Sequence, residues 1–353
     1  MEVRNDWKLD ELKALYDLPV LDLVFKAAMV HRENHNANQV QISSLVSIKT
    51  GGCPEDCSYC PQAARYNTGV NTHKLMQVDE VIDRAKKAKA AGSSRVCLGA
   101  AWREVRNNRD FDNVLEMVRE VNSMDMEVCC TLGMLSDEQA QRLADAGLYA
   151  YNHNLDTSEE HYEEIISTRT YEDRLDTHKS VRKAGVSLCS GGIIGLGETK
   201  EDRLKMILTL ANSAKQPESV PINTLVPVEG TPLQDQEKVP VWDLIKMVAI
   251  ARITMPKSAV RLSAGRLELS DEGQAFCFMA GANSIFAGET LLTTPNPEFD
   301  QDMQLFQTLG LVSKKAFADG KQPAIKKDDF VDPEKEAMEE KVKEWKKDLV
   351  EDK

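Results

Sequence analysis

The sequence predicts an α/β fold: a TIM-type (β/α)8 barrel with helices before it and a charged extension after it. Three observations lead there. Short apolar runs alternate with amphipathic stretches along most of the chain. Several amphipathic stretches end at a small residue and Gly just before the next apolar run: Ala91-Gly92, Ala146-Gly147, Ala184-Gly185 and Ala280-Gly281, the expected helix stop. The alternation yields eight strands and eight helices. A doubly wound open sheet is the alternative, because alternation alone does not decide closure.

The elements follow in order. Residues 7–34 read as two short helices separated at Pro19, which cannot continue a helix interior. Leu9, Leu12, Leu15 and Tyr16 form one apolar face, and Leu21, Val24, Phe25 and Ala28 another. Apolar strands are expected at 40–48, 95–98, 127–132, 149–155, 187–194, 219–223, 259–263 and 283–286. Helices are expected at 78–91, 113–124, 137–146, 171–184, 200–214, 241–255 and 271–280, with a last one at 300–309. This divides the chain into a helical segment 1–38, a barrel 39–313 and a charged tail 314–353. The tail holds Pro323 and Pro333, admits a helix near 338–349, and reads as a surface extension or partly disordered segment.

Composition narrows the function classes. A length of 353 residues suits a barrel with additions. The net charge of −13 argues against nucleic acid and anionic membrane surfaces as partners. No apolar run has the length of a membrane helix. The start, Met1-Glu-Val-Arg-Asn-Asp-Trp7, lacks a secretory pattern and is too acidic for a transit peptide. The eight cysteines could form four disulfides in a secreted protein; here metal binding or catalysis in a reducing cytoplasm is the expectation.

Cys53-Pro-Glu-Asp-Cys57-Ser-Tyr-Cys60 places three thiols on one polar, turn-like loop after the first strand. Thiolates favour iron–sulfur clusters, zinc or copper(I). Three donors do not close a structural zinc site, which takes four. They can hold three irons of a 4Fe–4S cubane and leave the fourth open to a small molecule. A second set lies on separate predicted strands: Cys97 on the second, Cys129 on the third, Cys189 on the fifth, and Arg261 on the seventh. A charged side chain in an apolar strand must be paired or serve a ligand. Each cysteine alone suits core packing, but three strands that line one cavity, beside a metal-type loop, point to a second centre. Cys129 and Cys130 are adjacent, so only one faces inward. Cys277, on a predicted helix, reads as core.

The three-then-two spacing resembles the signature of the radical S-adenosylmethionine (SAM) superfamily. The resemblance implies that Cys53, Cys57 and Cys60 bind a 4Fe–4S cluster, that SAM chelates its open iron, and that Tyr59 lies against the adenine. It implies one-electron cleavage of SAM to methionine and a 5′-deoxyadenosyl radical, which abstracts hydrogen from an unactivated C–H bond. From about Leu21 to about Val312 the chain is similar to one sulfur-inserting family of that superfamily. The matching segments include Gly99-Ala-Ala-Trp102, Tyr151-Asn-His-Asn-Leu-Asp156, Gly191-Gly-Ile-Ile-Gly-Leu-Gly-Glu198, Val220-Pro-Ile-Asn223, Val260-Arg-Leu-Ser-Ala-Gly-Arg266 and Leu291-Leu-Thr-Thr-Pro-Asn-Pro297.

This narrower resemblance implies a 2Fe–2S cluster on Cys97, Cys129, Cys189 and Arg261, with Cys129 chosen over Cys130 by its distance from the following Gly. Asn154 and Asp156 would contact SAM; Asn152, Asn154 and Asn223 would hold the ureido ring of dethiobiotin. Gly192 belongs to the Gly-rich segment that supports the adenine, and Thr293 and Thr294 would receive the substrate carboxylate. The implied reaction inserts sulfur between a methyl and a methylene carbon of dethiobiotin, one radical per C–H bond, with the 2Fe–2S cluster as sulfur source. Arg261 would be an unusual ligand, since guanidinium stays charged, and tuning is the expected role. His153 reads as structural. A homodimer and a flavodoxin-type electron donor are also implied. Another radical SAM barrel, such as a hydrogenase-maturase-like protein, is the alternative. An electron-transfer or metal-storage protein needs a fourth cysteine near the loop, and none lies between Cys60 and Cys97.

Overall fold

The computed structural model describes residues 3–288, 290–328 and 330. The helix expected near 338–349 lies outside the described residues. Two helices come first, α1 (Leu9–Tyr16) and α2 (Val20–Asn34). The barrel then alternates β1 (Gln39–Lys49), α3 (Val78–Ala90), β2 (Arg95–Ala100), α4 (Arg109–Asn122), β3 (Glu127–Thr131), α5 (Asp137–Asp145) and β4 (Ala150–Asn152). It continues through α6 (Glu159–Ile165), α7 (Tyr171–Lys183), β5 (Ser187–Cys189), β6 (Gly192–Ile194), α8 (Lys200–Ala211), β7 (Ser219–Thr224), α9 (Val241–Thr254) and β8 (Ala259–Leu262). A 3-10 turn (Arg266–Glu268), α10 (Asp271–Met279) and β9 (Ala282–Phe286) follow. The hairpin β10 (Thr290–Leu291) and β11 (Thr294–Pro295), then α11 (Phe299–Leu309) and β12 (Val312–Ser313), complete the order.

Parallel pairing runs β1-β2-β3-β4-β5-β7-β8-β9, and β9 returns to β1 through Gln41↔Ser284 and Ile42↔Ile285. The sheet is therefore a closed barrel, and the open-sheet alternative is excluded. The fifth stave is broken: β5 touches β7 only at Cys189↔Ser219, and β6 resumes the pairing at Gly192↔Ile222. The helices start at polar caps whose oxygens accept an amide in the first turn, among them Asn108, Ser136, Ser158, Thr170, Thr199 and Ser270. Gly147 (φ +93°) and Gly281 (φ +106°) stop α5 and α10 in the left-handed region that side chains disfavour.

One expectation needs correction. In α2 the predicted face Leu21, Val24, Phe25, Ala28 is divided. Val24 and Ala28 are buried, whereas Leu21 and Phe25 are 68% and 65% exposed. The helix turns its Leu23, Ala27 and Val30 stripe onto the barrel, and the four-residue spacing of Leu21, Phe25 and Met29 then carries them outward. No described helix is long and apolar enough to cross a membrane.

The chain after β12 crosses the end of the barrel where the strands begin. The Phe317 amide donates to Glu127 Oε1 (2.8 Å), and Gln322 and Pro323 meet Asn122. Asp328 pairs with Arg142 (2.9 Å).

Candidate active site

The loop after β1 turns back on itself through Cys60 N to Cys57 O (2.9 Å) and Cys53 N to Gln62 O (2.9 Å). Its shape is fixed by the two acids between the first two cysteines. Asp56 Oδ1 accepts the amides of Ser167 (2.9 Å) and Thr168 (3.1 Å), and the Thr168 hydroxyl donates to Glu55. Burial alone would raise the Asp56 carboxyl, but the Ser167 and Thr168 hydrogen bonds hold it down to about 2. The loop is thus strapped to the segment after α6. Sequence reading missed this strap, together with Arg169 and Arg174.

Cys57 is buried and its thiol is pushed up to about 11 by desolvation, with Arg169 opposing; the Arg169 Nη2 lies 3.9 Å from Cys57 Sγ. Desolvation, with Cys57 adding, brings Cys60 to about 12, and burial also raises Cys53. Three crowded thiols that resist ionisation on their own fit a multinuclear cation, which deprotonates a coordinating thiol outright. Among the described residues no three His, Cys, Asp or Glu side chains converge on a single-ion site. A cubane asks less convergence, because each thiolate binds a different iron.

A cavity of about 300 Å³ opens at the C-terminal ends of the strands, beside this loop. Cys53, Cys57, Tyr59 and Cys60 line one side; Asn152, Asn154, Asp156 and Asn223 line the strand ends; Thr293 and Thr294 of the β10–β11 hairpin line the rim. Ten of the sequence-predicted site residues therefore share one chamber. Gly192 does not line it, but its neighbour Ile193 does. A Cβ on Gly192 would lie 1.9 Å from Met206 Sδ and 2.6 Å from Asp156 O, so the glycine lets β6 lie against the Asp156 backbone.

The polar groups are interlocked. Asp156, in the left-handed region (φ +68°), accepts the Tyr59 hydroxyl (2.9 Å) and pairs with Arg174 through short contacts. Asn152 donates to Asn154 Oδ1 (3.0 Å), which also takes the Gly191 amide (3.2 Å). Asn223 of β7 ties β6 to the segment after β8, donating to Gly192 O (2.9 Å) and accepting from Ala264 N (3.1 Å). His153 is buried between Tyr151 and His178, and desolvation drives its pKa well below the usual range.

Below the chamber, Cys97 and Cys129 are Cα partners across β2–β3 and share a buried cluster with Ala150. Burial would raise Cys97, yet the Cys129 hydrogen bond and the Arg261 and Arg95 guanidiniums bring it to about 7. Cys189 is buried, and its Sγ lies 3.3 Å from Asn152 Nδ2, which joins this layer to the chamber. Beside it across β5–β7, the buried Ser219 hydroxyl has no hydrogen-bond partner. Arg261 donates to Ser284 Oγ (2.8 Å) and Gln41 Oε1 (3.0 Å) and lies over Phe286. Two cysteines stand apart. Cys130 belongs to the apolar layer between strands and helices, and Cys277 is buried in the opposite helical layer. Three buried thiols on the inner faces of β2, β3 and β5, with an unpaired hydroxyl beside them, suit a second inorganic cluster.

Comparisons with known proteins agree with this construction. The chain matches the family model "Radical SAM superfamily" over residues 47–210 and "Biotin and Thiamin Synthesis associated domain" over residues 221–312. It resembles solved structures of methylornithine synthase (19% identity, TM-score 0.74, 87% of this chain and 94% of that one) and of the FeFe-hydrogenase maturase HydG from Carboxydothermus hydrogenoformans (17% identity, TM-score 0.75, 88% and 77%), which supports the fold. It is 61% identical to biotin synthase of Cytophaga hutchinsonii over 92% of this chain and 96% of that protein. It is 59% identical to the mitochondrial biotin synthase of Arabidopsis thaliana over 88% and 82%. A barrel with a three-cysteine loop at its mouth, a buried thiol layer beneath, and this degree of identity along nearly its whole length belongs to the biotin synthase family of radical SAM enzymes.

Proposed function

We propose that the chain converts dethiobiotin to biotin, with SAM and dethiobiotin in the chamber between the three-cysteine loop and the buried thiol layer. One observation carries this reading: a single cavity joins Cys53, Cys57 and Cys60 to the amide wall of Asn152, Asn154 and Asn223, and Asn152 touches Cys189 beneath. Cys53, Cys57 and Cys60 would hold a 4Fe–4S cluster; Cys97, Cys129 and Cys189, with Arg261, would hold a 2Fe–2S cluster. When bound, the first supplies the electron that cleaves SAM and the second supplies sulfur.

The chain's own residues bind, orient and exclude water. Asp156 is held by Tyr59 and Arg174 and keeps lone pairs for the ribose hydroxyls of SAM. Asn152, Asn154 and Asn223 offer amide donors and acceptors that match a cyclic urea. The hydrogen bond from Asn152 to Asn154 and that from Asn223 to the Gly192 carbonyl fix their orientation before substrate arrives. Thr293 and Thr294 at the rim suit the distal carboxylate. Trp102, Leu291 and Leu292 close the chamber with apolar surface that keeps a radical from water. Arg261 is bound to Gln41 and Ser284, which supports a tuning role over obligatory ligation. Family membership supports a homodimer and a flavodoxin-type electron donor, and a cytoplasmic setting rests on the composition and cysteine usage alone. The proposed organisation is a helical segment 1–38, a barrel 39–313 and a tail 314–353.

Anaerobic enzyme carrying heavy sulfur in the 2Fe–2S cluster tests the reading in one turnover. Labelled biotin is expected from wild type. Cys53→Ala, Cys57→Ala and Cys60→Ala should each form no 5′-deoxyadenosine. Wild-type deoxyadenosine in any of the three, or unlabelled first-turnover biotin with the labelled cluster intact, overturns it.

A further inference from the structure

A second cavity, of about 540 Å³, lies at the opposite end of the barrel. Its wall is made by strand beginnings and its cover by the segment around Asp319–Lys326. On four strands the lining residue precedes an inner-layer residue by two: Gln41 before Ser43, Arg95 before Cys97, Ser187 before Cys189, and Ala259 before Arg261. Residues two apart on a strand share a face, about 7 Å from one another. The cavity is therefore separated from the thiol layer by a single pleat repeat, on the side away from the SAM chamber.

Its charge is opposite to that of the protein. Five basic side chains line it, Arg95, Lys215, Lys257, Lys321 and Lys326, against two acids, Glu218 and Asp319, in a chain of net charge −13. Lys215 pairs with Glu218 (2.7 Å) and Lys326 with Asp145 (3.0 Å). Lys257 and Lys321 have no ion-pair partner among the described residues. The Arg95 side chain is only 6% exposed; it pairs with Glu127 (2.6 Å), yet its Nη1 has no hydrogen-bond partner.

We propose that this cavity binds hydrosulfide, and that it is the station from which sulfide is returned to ferric irons held by the inner cysteines, the hydrosulfide losing its proton to solvent as it bridges the irons and the oxidation state of sulfur staying the same. The proposal rests on the reading of Cys97, Cys129 and Cys189 as the ligands of a sulfur-donating cluster. Each product molecule carries away one sulfur, so a sulfur-supplying reaction must follow each turnover. The chamber at the strand C-termini holds the organic reactants, which leaves the far end for an inorganic anion. Positive charge there raises the local concentration of a small anion over the acidic exterior. The covered geometry favours a free anion over a protein-borne persulfide.

The experiment uses anaerobic enzyme whose inner cluster has been consumed in one turnover. Ferric iron and sodium hydrosulfide are added, so that assembly releases only protons, and the return of the cluster's visible absorption is timed. Lys257→Glu combined with Lys321→Glu changes only exposed side chains. At limiting hydrosulfide and low salt it should recover about tenfold more slowly than wild type, and salt should narrow the gap. Arg95→Met should slow recovery with little salt dependence. First-turnover biotin and its sulfur label should be unchanged in the double variant. Equal recovery rates in the double variant and wild type overturn the proposal, as does recovery from a protein-bound persulfide but not from hydrosulfide. Failure of the underlying reading would appear separately, as unlabelled first-turnover biotin in the wild type.

Discussion

Cys129 and Cys130 follow one another on β3 but enter different surroundings, the first among Cys97 and Ala150 inside the barrel, the second among helix-facing apolar side chains. Cys129→Ser should abolish the 2Fe–2S signal in visible and Mössbauer spectra. Cys130→Ser should retain it, while the hydroxyl left in an apolar layer costs about 1–3 kcal/mol of stability. The reverse pattern would mean that the inward face has been misassigned. Asp156 gives a second test. Its carboxylate and the Arg174 guanidinium are both nearly inaccessible, so Arg174→Met strands a buried charge. A loss of roughly 3–5 kcal/mol in urea unfolding is expected, with weaker SAM binding; an unchanged unfolding midpoint would refute the pairing. The cysteine spacing and the Asn152–Asp156 run were legible in the sequence because their chemistry is local. Arg174 was not, because a lone arginine on an amphipathic helix looks like any solvated face.

The elements divide in the same way. Seven of the eight staves were readable because each apolar run is bounded by turn or helix-stop residues. The break between β5 and β6 was hidden because residues 187–194 read as a single strand despite Ser190-Gly191-Gly192 in its middle, and what breaks it is backbone proximity. A Cβ on Gly191 would sit 1.9 Å from the carbonyl oxygen of Pro221 on β7. Gly191→Ala must therefore push the chain off β7, and Leu155 and Asp156, whose amides bond Gly191 O, would move with it. An overpacking cost of about 1–3 kcal/mol and a weakened SAM affinity are expected together. Wild-type values for both, by urea unfolding and equilibrium binding, would remove this account of the break. The strap of Glu55 and Asp56 onto residues 167–168 was equally invisible, since its partners are more than one hundred positions apart.

For the molecule as a whole, three buried histidines, His31, His153 and His178, and the half-buried His35 set the response to acid. Burial and nearby arginines lower His31 to about 3, His35 to about 4 and His178 to about 4, and push His153 well below its usual value. In the unfolded chain each titrates near 6.5. Between these values the unfolded state binds more protons, so stability is full above pH 6.5 and falls as pH drops below it. Each histidine contributes up to about 1.4 kcal/mol per pH unit in that window. The urea midpoint should fall clearly from pH 7 to pH 5, and equal midpoints would contradict the burial of these rings. The pairing of β12 with β1 has a further consequence, one of timing. Gln39 and Val40 open the first stave, yet they are hydrogen-bonded to residues 312–313, and the closing stave β9 ends only at Phe286. A ribosome must release most of the chain before the ring can shut. Until then the inner thiols Cys97, Cys129 and Cys189 are not enclosed by a finished wall, and folding of the barrel interior waits on the last stave.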